Sequence, residues 1–240
     1  MSKRIFYVEN INPESTEITL AGEEFVHAKT VLRVKEGAEI LFYDGSGNEY
    51  SAIVAKIEKH SLTANITGVN VGSGEPQTPV YLLCGLLKGD KTELVVQKAT
   101  ELGVSKIGIF NSQFCSAYIN ENKLERLKRV AREASKQCRR PSSPEIVYFA
   151  SVDGALKSAQ EYENKLFACE FLDKSEGEIM GIKGSTALVV GSEGGFSREE
   201  FCLAQSLGYT GISLGKRILR AETAAVSLCA LAAYALGELK

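Results

Sequence analysis

The hydrophobic and polar positions of the chain follow two patterns, one up to residue 72 and another from residue 80. Residues 1–72 carry short runs rich in β-branched and aromatic residues with turn residues between them, which predicts a small β-barrel or compact sheet. Residues 25–34 of this segment have the pattern of one short helix. The strand-like runs are RIFYV, EITL, EILFYD, YSAIVAKI and LTANITGV.

From residue 80 onward, strand and helix patterns alternate, which predicts an α/β domain with a mostly parallel sheet. Asp90 and Glu93 have capping-box spacing at the start of the first helix, and Gly103 is the candidate residue at its end. The last helix is apolar nearly all round, so we expect it to be buried on most sides, either as a central core helix or against a second subunit. The predicted strands are 80–84, 104–110, 166–169 and 187–190, and the predicted helices are 90–102, 121–139 and 222–236.

The segment between the two patterns, residues 73–79, has the glycine and proline content of a linker. The prediction is therefore two domains, residues 1–72 and 80–240, and a chain of 240 residues is long enough for both. The longest nearly apolar stretch is too short to cross a bilayer, and the N-terminus lacks the long apolar region of a signal peptide. We therefore expect a soluble cytoplasmic protein.

Charge is distributed unevenly along the chain. The whole sequence carries 28 basic and 30 acidic side chains, whereas residues 123–140 alone contain eight basic and two acidic ones. This balance excludes a nucleic-acid binder of the histone type and is compatible with one directed contact to an anion. The six cysteines and two histidines have no zinc-ligand spacing, so we expect no metal site and reduced, buried cysteines.

Two loops carry candidate chemistry. The first, here called the glycine loop, is GSEGG at residues 191–195, between a predicted strand and a helix start marked by the capping-box pair Ser197 and Glu200. This arrangement places free backbone N–H groups at the carboxyl edge of a sheet, where α/β folds bind nucleotide-like ligands. A tight structural turn is the alternative interpretation of the same residues.

The second, here called the cationic loop, is residues 213–220, which carry Lys216, Arg217 and Arg220 just before the apolar helix. Cations at a helix start are electrostatically unfavourable, which favours function over plain surface charge. Two such loops at strand ends could enclose one ligand. Residues 85–92, GLLKGDKT, only resemble a phosphate-binding P-loop, because Asp90 replaces its second glycine and would repel phosphates.

Several motifs, in this order along the chain, point to one family. They are KGDK at residues 88–91, QKATELG at 97–103, GSEGGFS at 191–197, LG at 214–215, RILR at 217–220 and ETA at 222–224. Through them the chain resembles, over nearly its whole length, the RsmE family of rRNA methyltransferases in the SPOUT superfamily. The resemblance implies a PUA-like RNA-binding barrel, an α/β domain with a deep trefoil knot, and an obligate homodimer.

The resemblance also implies a reaction. The methyl donor is S-adenosylmethionine, held in the knot loops, and the product is N3-methyluridine at position 1498 of 16S rRNA in the small ribosomal subunit. No metal is required, because the sulfonium of the donor supplies the methyl group. Uridine N3 carries a proton at neutral pH, so the enzyme must remove that proton or stabilise the resulting anion.

The roles of individual residues follow from the same motifs. Arg220, together with Arg217, is expected to stabilise the uridine anion, and either Glu193 or Glu222 to accept the proton. The residues expected to bind the cofactor are Leu188, Val190, Gly191, Glu193, Gly194, Gly195, Ser213, Leu214, Gly215, Ile218 and Leu219. The residues expected to contact rRNA phosphates are Arg4, Arg33, Arg129, Arg132, Lys136, Arg139, Arg140 and Arg217.

One position departs from the family, which usually has proline where this chain has Ser192. Proline would fix φ, so we expect a more flexible loop and weaker cofactor binding here. Two rival functions are a related SPOUT methyltransferase that acts on another rRNA or tRNA position, and a non-catalytic RNA-binding assembly factor. A third, an unrelated nucleotide-dependent enzyme such as a dehydrogenase, is disfavoured because no GxGxxG follows a predicted strand.

Overall fold

The computed structural model describes residues 4–8, 11–12, 14–45, 47–71, 75–170, 172 and 176–239. The chain divides into two compact units: unit 1 comprises Met1–Glu75 and Ser135–Ser143, and unit 2 comprises Pro76–Ala134 and Pro144–Lys240. The division after Glu75 falls inside the predicted linker, of which residues 73 and 74 lie outside the described residues. Residues 135–143, which we expected in the second domain, belong to unit 1.

Unit 1 is built on one five-stranded sheet, and each predicted strand run forms a strand. Its order is β1-β3-β4-β5-β2, with β1 parallel to β3 and the other pairs antiparallel. Side chains alternate along β2, where Ile18 and Leu20 are buried and their neighbours exposed, as expected for a sheet with one face on a core. The strands are β1 (Arg4–Tyr7), β2 (Glu17–Ala21), β3 (Glu39–Tyr43), β4 (Asn48–Ile57) and β5 (Ser61–Val71).

The predicted helix of unit 1 is present but begins and ends earlier than residues 25–34. Helix α1 (Gly22–Val26) continues into a π-helical turn, His27–Val31. The segment ends there because Arg33 has a left-handed backbone, with φ of 48°, which does not continue a helix. Phe25 of this helix is buried in the core of unit 1, beside the large side chains of the sheet.

Unit 2 is built on a six-stranded sheet in which every neighbouring pair is parallel, as predicted. Its order is β11-β9-β10-β6-β7-β8. Every residue of β6 and β10 is buried, as expected for central strands of a sheet covered on both faces. The strands are β6 (Val80–Gly85), β7 (Lys106–Phe110), β8 (Glu145–Phe149), β9 (Asn164–Ala168), β10 (Thr186–Val190) and β11 (Thr210–Ile212).

Helices cover both faces of this sheet. Leu82 and Cys84 of β6 join an apolar cluster with α2, α3 and α6, whereas Tyr81 and Leu83, on the opposite face, join one with α4 and α5. Each fully buried Leu contributes roughly 1.5–3 kcal/mol to the free energy of unfolding. The helices are α2 (Lys91–Glu101), α3 (Glu121–Cys138), α4 (Val152–Lys157), α5 (Arg198–Ser206) and α6 (Ala221–Ala235), with a 3₁₀ turn at Ile179–Gly181.

Two predicted helix starts have different outcomes. The capping box of Ser197 and Glu200 is present at the start of α5, with each side chain bonded to the backbone of the other residue. The capping box predicted for α2 is wrong, because Asp90 has φ of −91° and ψ of 0° and its side chain makes no capping hydrogen bond. The Thr92 hydroxyl accepts from the Leu87 N–H instead, at 3.0 Å. At the other end of this helix, Gly103 has the expected positive φ, 86°.

The basic segment 123–140 is less exposed than its sequence suggests. Arg140 is only 4% exposed, and its guanidinium binds both carboxylate oxygens of Glu75, at 2.7 and 3.4 Å. The prediction that Arg140 belongs to an exposed basic surface is therefore wrong, because a buried bidentate ion pair occupies its donors. Lys136 is partly buried and forms an ion pair with Glu24.

Helix α6 buries one face in unit 2 and leaves another open. Ala225, Leu228 and Cys229 are buried, whereas Leu231 and Tyr234 are 37% and 59% exposed. Of the two arrangements expected for this helix, the central core helix is therefore wrong, and packing of the open face against a second subunit stays a prediction. Neither α6 nor any other helix in the described part of the chain is long and apolar enough to span a membrane.

The six cysteines, all within the described residues, are free thiols. Cys84, Cys169 and Cys229 are buried as expected, and Cys115 and Cys138 are partly buried. Cys202 on α5 is exposed, so the expectation of buried cysteines fails at this position.

Candidate functional site

The two candidate loops meet at one cavity of about 490 Å³ in unit 2. The cavity lies at the carboxyl edge of the parallel sheet, where β9, β10 and β11 end and α6 begins. This is the edge at which α/β folds bind ligands. The structure therefore supports the prediction that the glycine loop and the cationic loop enclose a common space.

Ten of the eleven residues expected to bind a cofactor line this cavity. Leu188 does not, because it is fully buried in the middle of β10 and packs in the core. A cofactor contact of Leu188 is therefore excluded from the site in this structure. The residues that line the cavity as expected are Val190, Gly191, Glu193, Gly194, Gly195, Ser213, Leu214, Gly215, Ile218 and Leu219.

The cavity has further lining residues that the sequence analysis did not identify. Ala168 is the last residue of β9, and Cys169 and Glu170 follow it; this strand lies between β10 and β11 in the sheet. A predicted strand at 166–169 was the available signal, but its place in the sheet could not be derived from the sequence. The other unpredicted lining residues are Lys91, Ala221 and Ala224, whereas Ser192 and Lys216 belong to the two predicted loops.

The glycine loop needs its glycines because other segments of unit 2 approach it closely. A Cβ at Gly194 would lie 2.6 Å from the Cβ of Phe114, closer than real Cβ contacts allow. The approach from β6 is tighter still, since a Cβ at Gly85 would lie 2.3 Å from the backbone nitrogen of Ser192. Gly195 has φ of 67°, which favours glycine. The loop is therefore held by backbone packing on two sides.

Ser192 contributes to this packing instead of loosening it. It is 5% exposed, and its hydroxyl forms a 3.0 Å hydrogen bond with the hydroxyl of Ser112. The expectation that serine makes the loop more flexible did not anticipate this contact, which restrains the loop from the β7 side of the sheet.

Glu193 is the acidic residue that faces the cavity from the glycine loop. Its Oε1 accepts hydrogen bonds from the Lys88 backbone N–H at 3.0 Å and from Lys91 Nζ at 3.2 Å. Burial alone would raise the pKa of this carboxyl, but these backbone and ammonium donors outweigh it and hold the pKa below its ordinary value. Glu193 is therefore ionised at neutral pH.

Glu222, the other candidate proton acceptor, is placed differently. It lies in the first turn of α6, and its Oε2 is 3.8 Å from Lys91 Nζ. This oxygen is buried and has no hydrogen-bond partner among the described residues. Glu222 is also not part of the cavity wall. The structure thus brings Glu222 close to the cavity but not into it.

The cationic loop supplies positive charge to the wall of the cavity. Lys216, Arg217 and Arg220 are exposed and line the cavity. Gly215 turns the chain after β11 with φ of 106°. Arg220 has an extended backbone as the residue before α6, and its carbonyl accepts the Ala224 N–H at 2.8 Å. The start of α6 thereby fixes the backbone of Arg220 at the cavity wall.

The residues expected to contact RNA are found in both units, and we describe each unit separately. In unit 1, Arg33 and Arg139 are exposed, and Arg4 and Lys136 are partly buried. In unit 2, Arg129 and Arg217 are exposed and Arg132 is partly buried. Arg217 lines the cavity as well, so its charge is available to a ligand there. Within the described residues, no group of three or more potential ligand side chains could hold a metal ion.

Comparison with known proteins identifies the family. A family model described as an RNA methyltransferase domain matches residues 74–233, and one described as an RNA methyltransferase PUA domain matches residues 20–67. The ribosomal RNA small subunit methyltransferase E of Rickettsia conorii is 32% identical over 231 residues, 93% of this chain and 92% of that protein. The chain belongs to the ribosomal RNA small subunit methyltransferase E family.

Another relative and two solved structures are similar to this chain in sequence and in fold. The Bacillus subtilis protein of the same name is 31% identical over 88% of this chain and 87% of its own length. The crystal structure of the Neisseria gonorrhoeae protein bound to S-adenosyl methionine has a TM-score of 0.89 at 27% identity and covers 100% of both chains. A putative methyltransferase from Legionella pneumophila, solved with its cofactor SAM, has a TM-score of 0.84 at 27% identity over 98% of both chains.

Proposed function

We propose that the chain transfers a methyl group from S-adenosylmethionine to N3 of the uridine at position 1498 of 16S rRNA in the small ribosomal subunit. The observation that carries this proposal is the single cavity enclosed by the glycine loop and the cationic loop, in a chain whose relatives were crystallised with S-adenosylmethionine. The proposal includes a closed PUA-like barrel in unit 1, a trefoil knot in unit 2, a homodimer and a cytoplasmic location.

The cavity fits such a cofactor in size and in chemistry. Its volume of about 490 Å³ lies in the usual range for small-molecule sites, roughly 300–1,000 Å³. Its walls offer apolar surface from Leu214 and Ile218, a carboxylate from Glu193 and cations from Lys216 and Arg217. These three features match, in that order, the adenine base, the positively charged sulfonium and the carboxylate of S-adenosylmethionine. When bound, the cofactor supplies an activated methyl group, so no metal is needed.

Arg220 is the residue we assign to stabilising the uridine. Loss of the N3 proton leaves a negative charge that spreads onto the two ring oxygens. A guanidinium beside those oxygens lowers the energy of the anion without titrating, because arginine stays charged at all accessible pH values. Arg220 is exposed and lines the same cavity as the glycine loop.

Glu193 is the better of the two candidates for the N3 proton. It lines the cavity, and its lowered pKa keeps it ionised and ready to accept a hydrogen bond from N3–H. The lowered pKa also makes it a weak base, so Arg220 must carry much of the stabilisation. The Oε2 of Glu222 is buried away from the cavity wall, which favours a supporting role for Glu222.

The RNA would be held by cations of both units. The proposed phosphate contacts are Arg4, Arg33 and Arg139 in unit 1 and Arg129, Arg132 and Arg217 in unit 2. Lys136 would contact RNA in addition to its ion pair with Glu24. Phosphate contacts position a nucleic acid, whereas the target base is selected at the cavity.

The test is methyl transfer from labelled S-adenosylmethionine to unmodified small subunits, followed by mass-spectrometric mapping of the rRNA. We expect label on N3 of the uridine at 1498. Label at another nucleotide would instead establish the related methyltransferase, and no label beside an active control enzyme would favour the assembly factor.

Arg220→Ala tests the assigned role within this reaction. We expect kcat to fall about 100- to 1,000-fold, the usual effect of removing one stabilising donor from a transition state. The control is Arg198→Ala, which removes an exposed arginine that does not line the cavity. Equal turnover of the two variants would exclude Arg220 from catalysis.

A further inference from the structure

Lys91 connects two acidic residues that belong to different segments of unit 2. Its Nζ is 3.2 Å from Oε1 of Glu193 in the glycine loop and 3.8 Å from Oε2 of Glu222 in α6. Lys91 is the first residue of α2, directly after the loop that follows β6. One ammonium therefore joins the glycine loop, α2 and α6.

Glu222 is the most buried of the three side chains. The side chains of Lys91, Glu193 and Glu222 are 31%, 29% and 13% exposed. Two carboxylates within 4 Å of the same ammonium would repel each other strongly without it, since partial burial weakens screening by solvent. Glu222 Oε2 depends on the ammonium most, because it is buried and accepts no hydrogen bond from a described residue.

We propose that Lys91 is a positioning residue of the cofactor cavity: its ammonium holds Glu193 and the glycine loop in place, and it offsets the repulsion between the Glu193 and Glu222 carboxylates. This inference rests on the proposed function in one respect, namely that the cavity holds S-adenosylmethionine. Lys91 acts through the two carboxylates and has no assigned contact with the reacting atoms.

Glu193 is held by one backbone donor, the Lys88 N–H, and by one side-chain donor, the Lys91 ammonium. The Lys88 N–H binds the same oxygen of Glu193 at 3.0 Å, so Glu193 keeps one donor when the Lys91 ammonium is removed. Loss of the ammonium therefore leaves the loop attached but adds repulsion from Glu222. Removal of the Glu222 charge should then relieve the loss of Lys91.

The experiment compares Lys91→Met, Lys91→Arg and the double variant Lys91→Met with Glu222→Gln in the full chain. The first readout is the dissociation constant of S-adenosylmethionine, measured by calorimetry. We expect about 10-fold weaker binding for Lys91→Met, near wild-type binding for Lys91→Arg, and recovery of most of the loss in the double variant. The second readout is the thermal unfolding midpoint without cofactor. We expect the lowest midpoint for Lys91→Met, a higher one for the double variant and a near wild-type one for Lys91→Arg.

The matched control is Lys98→Met, which removes a comparable ion pair, with Glu101, from the same helix. Lys98→Met should bind the cofactor like the wild type. Equal binding by Lys91→Met, or a double variant no better than Lys91→Met, would overturn the proposal. If only the unfolding midpoints change, Lys91 is structural and not a positioning residue. A wild-type chain that binds no S-adenosylmethionine but shows the expected midpoints would refute the proposed function while leaving the charge balance intact.

Discussion

At the scale of single residues, Ser192 shows how a side-chain contact can replace a covalent restraint. Proline at this position, as the related family usually has, would restrain the loop through its fixed φ. Serine lacks that restraint, but its buried hydroxyl is bonded to Ser112, 80 residues away in sequence. The glycine loop is therefore restrained by a tertiary contact.

Ser112→Ala tests this restraint. The substitution leaves the buried Ser192 hydroxyl without this partner, which should cost about 1 kcal/mol in the free energy of unfolding. If this free energy is lost from the binding-competent conformation of the glycine loop, the affinity for S-adenosylmethionine should drop about fivefold. Denaturant unfolding and calorimetry measure the two effects. Ser116→Ala, at an exposed serine of the same connection, is the control, and identical results for both variants would contradict the role of Ser112.

The residues of the site could be predicted where a local motif defines them. Glu193 and Arg220 lie in such motifs, and both line the cavity. The sequence did not predict the roles of Leu188, Lys91 and Arg140, because burial in a central strand or pairing with a distant carboxylate depends on tertiary neighbours. Arg140, for example, binds Glu75, which is 65 residues away in sequence.

At the scale of elements, α6 has an apolar surface that the chain itself does not cover. Leu231 and Tyr234 lie one helical turn apart on the exposed side, and Ser227 and Ala230 extend the same stripe. Small residues on such a stripe allow another helix to approach closely. The proposed homodimer would cover this face, which the packing within unit 2 leaves open.

Replacing both Leu231 and Tyr234 with Glu should convert the dimer to a monomer. Two charges in a closely packed apolar interface would lose solvation without gaining partners. Light scattering or sedimentation measures the mass. Ile53→Glu, at a residue of unit 1 that is 39% exposed, serves as the control and should not change it. A wild-type chain that is already monomeric would exclude the homodimer.

Most elements could be predicted from periodicity and turn residues, but β8 and α4 were not among the predicted strands and helices. The predictions that fail are those that depend on which of several groups a residue contacts in the folded chain. The Asp90 side chain does not cap α2, and the nearby Thr92 hydroxyl binds the Leu87 backbone, a contact that spacing alone did not indicate. Residues 135–143 lie within the stretch of sequence predicted as the second domain, but they pack with unit 1. No local sequence signal indicates which unit they belong to.

At the scale of the whole molecule, an acidic chain must still bind an acidic polymer. The net charge is −2, so attraction to RNA has to come from local groups of cations. The structure removes Arg140 from the basic segment and pairs Lys136 with Glu24. Arg129 and Arg139 remain exposed there, and the proposed attraction depends on them and on the cations elsewhere in the two units.

Affinity for unmodified small subunits should therefore fall steeply with salt. Each phosphate contact releases counterions, so log affinity is linear in log salt concentration. Arg129→Gln should reduce the slope by about one and weaken binding at low salt. Lys183→Gln, at an exposed lysine outside the proposed contacts, should leave the slope unchanged. A flat salt response of the wild type would contradict the electrostatic contact.

The distribution of the six thiols determines how the protein can be labelled. Burial raises the pKa of the Cys84 thiol to about 12, and Cys229 beside it is also fully buried with a raised pKa, so neither supplies the thiolate that alkylating reagents need. Cys202 is exposed on α5, the helix that begins directly after the glycine loop. A maleimide fluorophore at neutral pH will thus react first at Cys202. The sequence therefore already carries an optical reporter position on the helix that follows the glycine loop.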